Sequence, residues 1–433
     1  MRFYDREAEM EILGRNRKMS EKRGVFTVIT GRRRIGKTSL IKESEKENVL
    51  YLFVSRINES MLCQQLTDSA ISDLGIQLFD SGKFRDLFEQ LMRYGENNNF
   101  TFVIDEFQEL ERVNSSIMSS IQELWDRSAS RSKINLIVSG SVQSMMVKIF
   151  EMNKEPLFGR ATSKLNIGPF TPRVLKEILK DHNPNYMNED LLFMYAVTGG
   201  VPKYIELLMD AGATSFDKML DRVCSQDSYF LTDGKDLLIS EFGKDYITYF
   251  SIMQLIANGK NTLREINDII GKDCGMYLET LNKEYRLIRK NRPIFSKKNS
   301  RDIRWQISDN YMKFYFRFIS SNLSVVEFKR YDLLKESIRS GYEEYSGRIL
   351  EDYFKNKLAE EERFTEIGSY WDKRGQNEID VIVLSDNDKK AIVAEVKRNP
   401  KRVDIDELMK KTEAIHALKE YDIEYRVLSL DDM

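Results

Sequence analysis

The sequence predicts an α/β fold, in which a parallel sheet covered by helices on both faces is followed by helical segments and a smaller carboxy-terminal α/β domain. Three observations predict it. Short β-branched or apolar runs at Val25 to Thr30, Val49 to Val54, the residues ahead of Asp105, Ile134 to Ser141 and Ser163 to Ile167 alternate with helical stretches such as "SSIMSSIQELWDRSA". Strands buried on both faces give such runs, and alternation with helices is the mark of a parallel sheet. A glycine-rich loop separates the first run from a helix-compatible segment, and "NEIDVIVLSDNDKKAIVAEVKRNP" reads as two late strands across a short turn.

Bulk properties narrow the function classes. A chain of 433 residues has room for roughly two to four domains. With 41% hydrophobic and 31% charged residues, it has the composition of an ordinary folded protein. A net charge of −2 gives no global attraction to polyanions, so a nucleic-acid site requires a local basic patch. Cys63, Cys224 and Cys274 form neither a C-x-x-C pair nor an even set, which fits a reducing compartment. His182 and His416 are the only histidines, so a reaction base is expected among Asp, Glu or Lys. No stretch approaches ~18 uninterrupted apolar residues, and the expectation is a cytoplasmic, non-membrane protein.

"VFTVITGRRRIGKTSLI" supplies strand, G-x-x-x-x-G-K-T loop and helix, the context in which a phosphate-binding loop works. Gly31 and Gly36 let successive N–H groups turn inward, and the helix start adds positive potential. Lys37 is expected to reach the β- and γ-phosphates of ATP, Thr38 to ligate Mg²⁺, and Ser39 to touch the α-phosphate. In "NFTFVIDEFQEL", Asp105 ends a strand where a carboxylate can hold the Mg²⁺ water shell, and Glu106 is placed to orient or deprotonate the attacking water. "INLIVSGS" ends in hydroxyls, and Ser139 or Ser141 is the candidate γ-phosphate sensor. Arg32, Arg33 and Arg34 form either a solvated loop tip or a contact to a polyanion or another subunit.

"FYDREAEMEIL", "TGRRRIGKTSL", "FVIDEFQEL", "LIVSGS", "EPLFGRA" and "TGGVPKY", in this order over about the first half of the chain, resemble the archaeal-type ATPases, a branch of the P-loop AAA-like and signal-transduction (STAND-like) ATPases. The resemblance implies that Arg6 and its neighbours border the adenine. It also implies that Arg160 is an arginine finger or γ-phosphate sensor and that Gly199 to Tyr204 close a helical lid.

Beyond the lid, the helical patterns "DYITYFSIMQLIANG", "TLREINDIIG" and "CGMYLETLNKEYRLI" precede a strand–loop–strand, the outline of a winged helix-turn-helix. Between Tyr285 and Trp305 lie Arg286, Arg289, Lys290, Arg292, Lys297, Lys298, Arg301 and Arg304 against the single acid Asp302. This wing, 286–304, either contacts DNA or serves as a protein-interaction or lid module. Tyr311, Phe314, Tyr315, Phe316 and Phe318 read as core packing.

In the last hundred residues, a turn at Asn387 and Asp388 pairs Ser385 with Lys390, puts Asp380 opposite Glu395, and makes Glu378 face Lys397. Asp380, Glu395 and Lys397 then share one face. Two carboxylates at this distance repel unless a cation lies between them, and oxygen ligation suits Mg²⁺ or Mn²⁺. Glu351, from the preceding helix, either completes the metal shell or is a surface glutamate. The stretch resembles the PD-(D/E)-x-K fold of restriction endonucleases and repair nucleases, with Ile379 where the motif has proline. That resemblance implies metal-dependent phosphodiester hydrolysis by Asp380, Glu395 and Lys397.

The expected organisation is a P-loop ATPase core at 1–169, a helical lid at 170–240, a winged helix at 241–325 and a restriction-endonuclease-like α/β domain at 326–433. The expected function is ATP binding and hydrolysis coupled to a DNA-directed nuclease-like domain. The alternative is a regulatory ATP switch that binds DNA or protein without cutting. The oligomeric state is open.

Overall fold

The computed structural model describes all residues except 243–245, 298–299, 301 and 373–375, and the side chains of 240, 241 and 402 are likewise outside the description. The chain divides into two compact units, Asp5–Gly168 and Pro169–Met433, with Met1–Tyr4 belonging to the second.

Unit Asp5–Gly168 is built on five strands, β1 (Val25–Thr30), β2 (Val49–Phe53), β3 (Phe100–Asp105), β4 (Ile134–Gly140) and β5 (Ser163–Asn166). Their order is β2-β3-β4-β1-β5, and every pairing is parallel. The inner strands β3 and β4 are buried at every residue, because helices cover both faces of the sheet. The helix Phe84–Asn97 is a clear case of sequence setting packing: Phe84, Leu87, Phe88 and Leu91 recur at three- and four-residue spacing and are all buried. With Phe102, Leu136 and Trp125 they belong to the unit's main apolar cluster. The order matters for chemistry. With β4 between β1 and β3, Ile29 pairs with Ser139 and Ile104 with Val138, so the loop after β1, the end of β4 and Asp105 share one edge of the sheet. Ligands of open parallel sheets bind at this carboxyl edge.

Unit Pro169–Met433 begins with helices between Pro172 and Phe242. Helices Tyr246–Ala257, Leu263–Ile270 and Gly275–Lys283 follow, and then a hairpin of β6 (Ile288–Asn291) with β7 (Arg304–Ile307). Asp245, where the first of these helices was expected to start, lies outside the described residues. Thr262 caps its helix reciprocally with Glu265, which supplies partners for otherwise orphaned N–H groups. The aromatic run from Tyr311 to Phe318 is core: Phe314 and Phe316 are fully buried, and the Tyr311 ring packs, tilted, with its centroid 4.4 Å from that of Tyr204.

A long helix, Tyr331–Glu361, leads into a four-stranded sheet of β8 (Glu366–Trp371), β9 (Glu378–Ser385), β10 (Lys390–Val396) and β11 (Asp422–Leu428). Its order is β11-β10-β9-β8, with β10 and β11 parallel and the other pairs antiparallel. Ser385 pairs with Lys390 as the sequence predicts, but the connection is a four-residue turn at 386–389, with Lys389 in the left-handed region at φ 50°. The ladder's last pair is Val381 with Ala394.

Candidate nucleotide site and a carboxylate–amine cluster

The loop after β1 is shaped by its backbone. Gly31 has φ 149° and Gly36 φ 91°, and a Cβ at Gly31 would lie 2.7 Å from the Ile167 carbonyl oxygen, so both conformation and space demand glycine there. Gly36 leads directly into the helix Lys37–Ser44. Lys37 is buried and curls back over its own loop, donating to the carbonyls of Gly31 (2.8 Å) and Arg32 (3.1 Å). Burial pushes its ammonium down to about 8, against the pull of Glu106 and Asp105.

Asp105 is the hub. Its Oδ2 accepts from Thr38 Oγ1 (2.9 Å) and from the Tyr51 hydroxyl (2.6 Å), while its Oδ1 accepts from Ser139 Oγ and from the Glu106 N–H (3.0 Å). An ionised carboxylate offers about four acceptor positions, and these four donors fill them. Ser139 is fully buried and spends its hydroxyl on Asp105, whereas Ser141 donates to Glu106 (2.7 Å). Tyr51 was not singled out by sequence, since a strand tyrosine carries no motif; burial and then its bond to Asp105 hold its phenol well above the ordinary value.

Glu106 stands in the left-handed region at φ 56°. That conformation costs a non-glycine residue on the order of 1–3 kcal/mol and is concentrated at functional sites. Gln108 (2.5 Å) and Ser141 hold the Glu106 carboxylate, and Arg33 Nε reaches Ser141 at 3.4 Å.

The remaining predicted residues are more dispersed. Ser39 is exposed. Arg6, at φ 81°, donates to the Gly168 carbonyl (2.6 Å) and pairs with Glu9. Arg160 gives its guanidinium to Asp126 (3.2 Å) and the Phe158 carbonyl (2.8 Å), so the charge partner that sequence did not reveal is Asp126.

At the end of β9, the Asp380 side chain takes over from the ladder: its Oδ2 accepts from the Val396 N–H at 2.9 Å. Lys397 Nζ lies 3.1 Å from Asp380 Oδ2 and 2.9 Å from Glu395 Oε1, so the three predicted side chains converge. Burial favours a neutral amine, but the two carboxylates override it and raise the Lys397 pKa. Glu395 Oε2 is buried without a hydrogen-bond partner. The Glu351 carboxyl is raised above the ordinary range by burial and then by the charge of Asp380, which places it in the same electrostatic neighbourhood.

One expectation is corrected here. Glu378 does not face Lys397: it pairs with Trp371 of β8 and binds Arg304 at 2.6 Å, because the β9–β10 ladder ends before reaching it. Among the described residues no group of three or more His, Cys, Asp or Glu side chains is set to hold an ion. The cation between Asp380 and Glu395 is the Lys397 ammonium.

The basic segment 286–304 is less free than its sequence suggests. Arg289 binds Asp352 (2.9 Å), Lys290 pairs with Glu279, and Arg304 pairs with Glu378 while stacking on Trp371 at 4.4 Å. The acids come from distant parts of the chain. Lys298 and Arg301 lie outside the described residues. Among the described residues, no helix is long and apolar enough to cross a membrane.

Comparison with known proteins agrees with the loop and its sheet. A family model described as "ATPase domain predominantly from Archaea" matches residues 3–208, and one described as "Archaea bacterial proteins of unknown function" matches residues 315–408. An uncharacterised protein of Methanocaldococcus jannaschii is 34% identical over 416 residues, covering 91% of this chain and 87% of that protein. The Walker-type ATPase of Pyrococcus abyssi has a TM-score of 0.54 at 19% identity, over 73% of this chain and 96% of its own, a likeness of fold. The ORC2 protein of Aeropyrum pernix has a TM-score of 0.48 at 16% identity, over 76% and 95% of the two chains. A relative this similar over nearly its whole length, joined to a phosphate-type loop facing a strand-end aspartate, settles the family: the chain belongs to the archaeal-type ATPases.

Proposed function

We propose that this chain is an ATP hydrolase whose nucleotide cycle controls a DNA-directed, nuclease-like carboxy-terminal domain. Family membership supports ATP binding and hydrolysis. The observation that carries the catalytic reading is the Thr38–Asp105 hydrogen bond beneath a buried lysine.

The residues fit a nucleotide with Mg²⁺, since the glycine cradle excludes a side chain and Thr38 and Asp105 present oxygen donors side by side. In this reading Lys37 holds the β- and γ-phosphates and Ser39 touches the α-phosphate, while Thr38 and Asp105 would hold the ion, which when bound would supply positive charge beside the phosphates. Ser139 positions Asp105. Glu106 takes the proton of the attacking water, with Gln108 and Ser141 fixing the carboxylate that does so. Arg6 borders the adenine, and Arg160, released from Asp126, meets the γ-phosphate charge. Residues 1–169 act as the ATPase core, 170–240 as lid and 241–325 as a winged helix. Control runs through a difference in affinity for ATP between two arrangements of the chain.

Residues 326–433 form the nuclease-like module. A divalent ion there, Mg²⁺ or Mn²⁺, would supply an activated water and steady a phosphoryl oxygen. Asp380 and the unpartnered Glu395 Oε2 fit such an ion, and Lys397 orients water or steadies the leaving charge. The second reading, a switch that binds without cutting, is favoured by Lys397 pairing with both carboxylates at once.

The test measures ATP turnover and DNA strand loss with Mg²⁺ and Mn²⁺ in wild type, Lys37→Ala, Asp380→Ala and Lys397→Ala. Turnover lost only in Lys37→Ala, and cleavage lost in the other two, supports the proposal. Cleavage unchanged in Asp380→Ala and Lys397→Ala removes the nuclease assignment.

A further inference from the structure

A cavity of about 360 Å³ in the unit Pro169–Met433 is walled by β7, the helix Tyr331–Glu361 and the strands β8 and β9. Pockets for small organic ligands begin at about 300 Å³, so there is room for one nucleotide unit. The long helix presents Glu344, Arg348, Glu351, Asp352 and Lys355 to it. Their spacing of three and four places them on one face of that helix.

Charges on the wall mostly cancel in pairs: Arg304 with Glu378, Lys313 with Asp352, Arg317 with Glu344 and Lys355 with Glu351. Asp380, also on the wall, is taken up by Lys397. Arg348 remains. Its guanidinium lies beside the Gly259 turn and, among the described residues, has no acid or hydrogen-bond partner. A planar guanidinium held on a rigid helix suits two oxygens of a phosphate.

The rest of the lining is suited to a base. Asn261 and Asn291 bring amide groups, which read donor and acceptor edges, while Tyr345 and Trp371 bring aromatic surface. Arg348 is one helical turn from Glu351, about 4.5 Å along the axis, and Glu351 feels the charge of Asp380.

We propose that this cavity binds one nucleotide unit of a nucleic-acid strand, its phosphate on Arg348 and its base against the amide and aromatic walls, presenting the neighbouring phosphodiester to Asp380. The inference rests on the nuclease-like reading for the second half of that statement only; binding itself needs no cleavage.

The experiment titrates a fluorescein-labelled single-stranded hexanucleotide of DNA into the full chain in EDTA, reading anisotropy for wild type, Arg348→Ala, Arg348→Lys, Asn261→Ala and Asp380→Asn. Arg348 is exposed and unpaired, so its replacement leaves the fold intact. The expected result is a Kd raised about tenfold in Arg348→Ala, partly recovered in Arg348→Lys and raised in Asn261→Ala, with Asp380→Asn binding no more weakly than wild type because it removes a negative charge beside the strand. Deoxyadenosine monophosphate should displace the strand at higher concentration, and inorganic phosphate should not. Equal binding by wild type, Arg348→Ala and Asn261→Ala overturns the proposal even if Asp380→Asn abolishes cleavage. Arg348-dependent binding with no strand loss in Mn²⁺ keeps the cavity and rejects the nuclease reading. Binding of the mononucleotide at Arg348 without binding of the strand also overturns it.

Discussion

Thr38 and Asp105, 67 residues apart in sequence, are joined by a 2.9 Å hydrogen bond from the threonine hydroxyl to the carboxylate. The Tyr51 hydroxyl meets the same Oδ2 at 2.6 Å, and the other oxygen is held by Ser139 and the Glu106 N–H. Asp105→Asn replaces a four-acceptor anion by a group with one acceptor oxygen and two donors, which oppose donors already present. We expect kcat for ATP to fall at least ~100-fold, since loss of a charge-stabilising group commonly costs that much. Tyr51→Phe keeps the ring and removes one donor to an anion, a change of about 1.5–3 kcal/mol. It should raise the Mg²⁺ concentration for half-maximal turnover several-fold with little change in ATP KM, and an unchanged Mg²⁺ response would exclude Tyr51 as a positioning residue.

The amino-terminal site was legible because its signals are local. A strand, two glycines, Lys37 and Thr38 lie within fourteen residues, and the buried run before Asp105 marks its own end. The strand limits Val25 to Thr30 match between sequence and structure for the same reason. What sequence missed depends on long-range pairing. Tyr51 reaches Asp105 only because β2 lies beside β3, and Arg160 finds Asp126 across a gap of 34 residues. In the carboxy-terminal sheet, period-two alternation placed Asp380, Glu395 and Lys397 together, but it could not show that the ladder stops at Val381. Least legible were the ion pairs of the basic segment 286–304, because Asp352, Glu279 and Glu378 come from elsewhere in the chain.

The Lys37 ammonium titrates near 8 because it is buried. Only the protonated form attracts phosphate, and bound phosphate in turn raises the pKa. ATP affinity is therefore expected to be flat below pH 8 and to weaken by up to tenfold per pH unit above it, until the pKa of the bound form is reached. The same shift has the opposite sign for folding. Between pH 8 and 10.5 the unfolded chain binds more protons at this lysine than the native one, so its contribution to stability rises with pH there. Equilibrium binding of a fluorescent ATP analogue from pH 7 to 10, with Lys37→Arg as the control that should not titrate, checks the first sign. A wild-type affinity independent of pH over that range excludes a depressed Lys37.

Lys397 stands between Asp380 and Glu395, and removing it leaves two carboxylates facing each other. The ammonium is 40% exposed, so its loss should cost only about 1 kcal/mol rather than the full penalty of a buried pair. The informative measurement is a melting curve with and without Mn²⁺. An ion that binds the native state raises stability by mass action. The increase should be larger in Lys397→Met, where the competing amine is gone, than in wild type, and absent in Asp380→Ala. Equal shifts in all three would mean that the ion binds elsewhere.

Asp352 neighbours Glu351 in sequence, but successive helix residues point about 100° apart, and the two carboxylates have different tasks. Asp352 is buried and receives Lys313 (2.5 Å), Arg289 (2.9 Å) and the Gln306 amide (3.1 Å), tying the long helix to the hairpin and to the helix Asn310–Phe314. Burial would raise its pKa, but Lys313 and Arg289 outweigh that and hold the carboxyl well below the usual range. A depressed carboxylate contributes stability that is complete above its unfolded pKa, about 4, and is lost as pH falls toward the folded value. Asp352→Asn leaves two cations facing a neutral group, and we expect a loss of about 3–5 kcal/mol at pH 7, as when one partner of a buried ion pair is removed. The difference from wild type should shrink as pH falls below 4, where the unfolded chain takes up the proton that the native carboxylate still excludes. Urea unfolding at pH 7 and pH 3 measures both. A pH-independent difference would show that the asparagine acts through packing and not through lost charge.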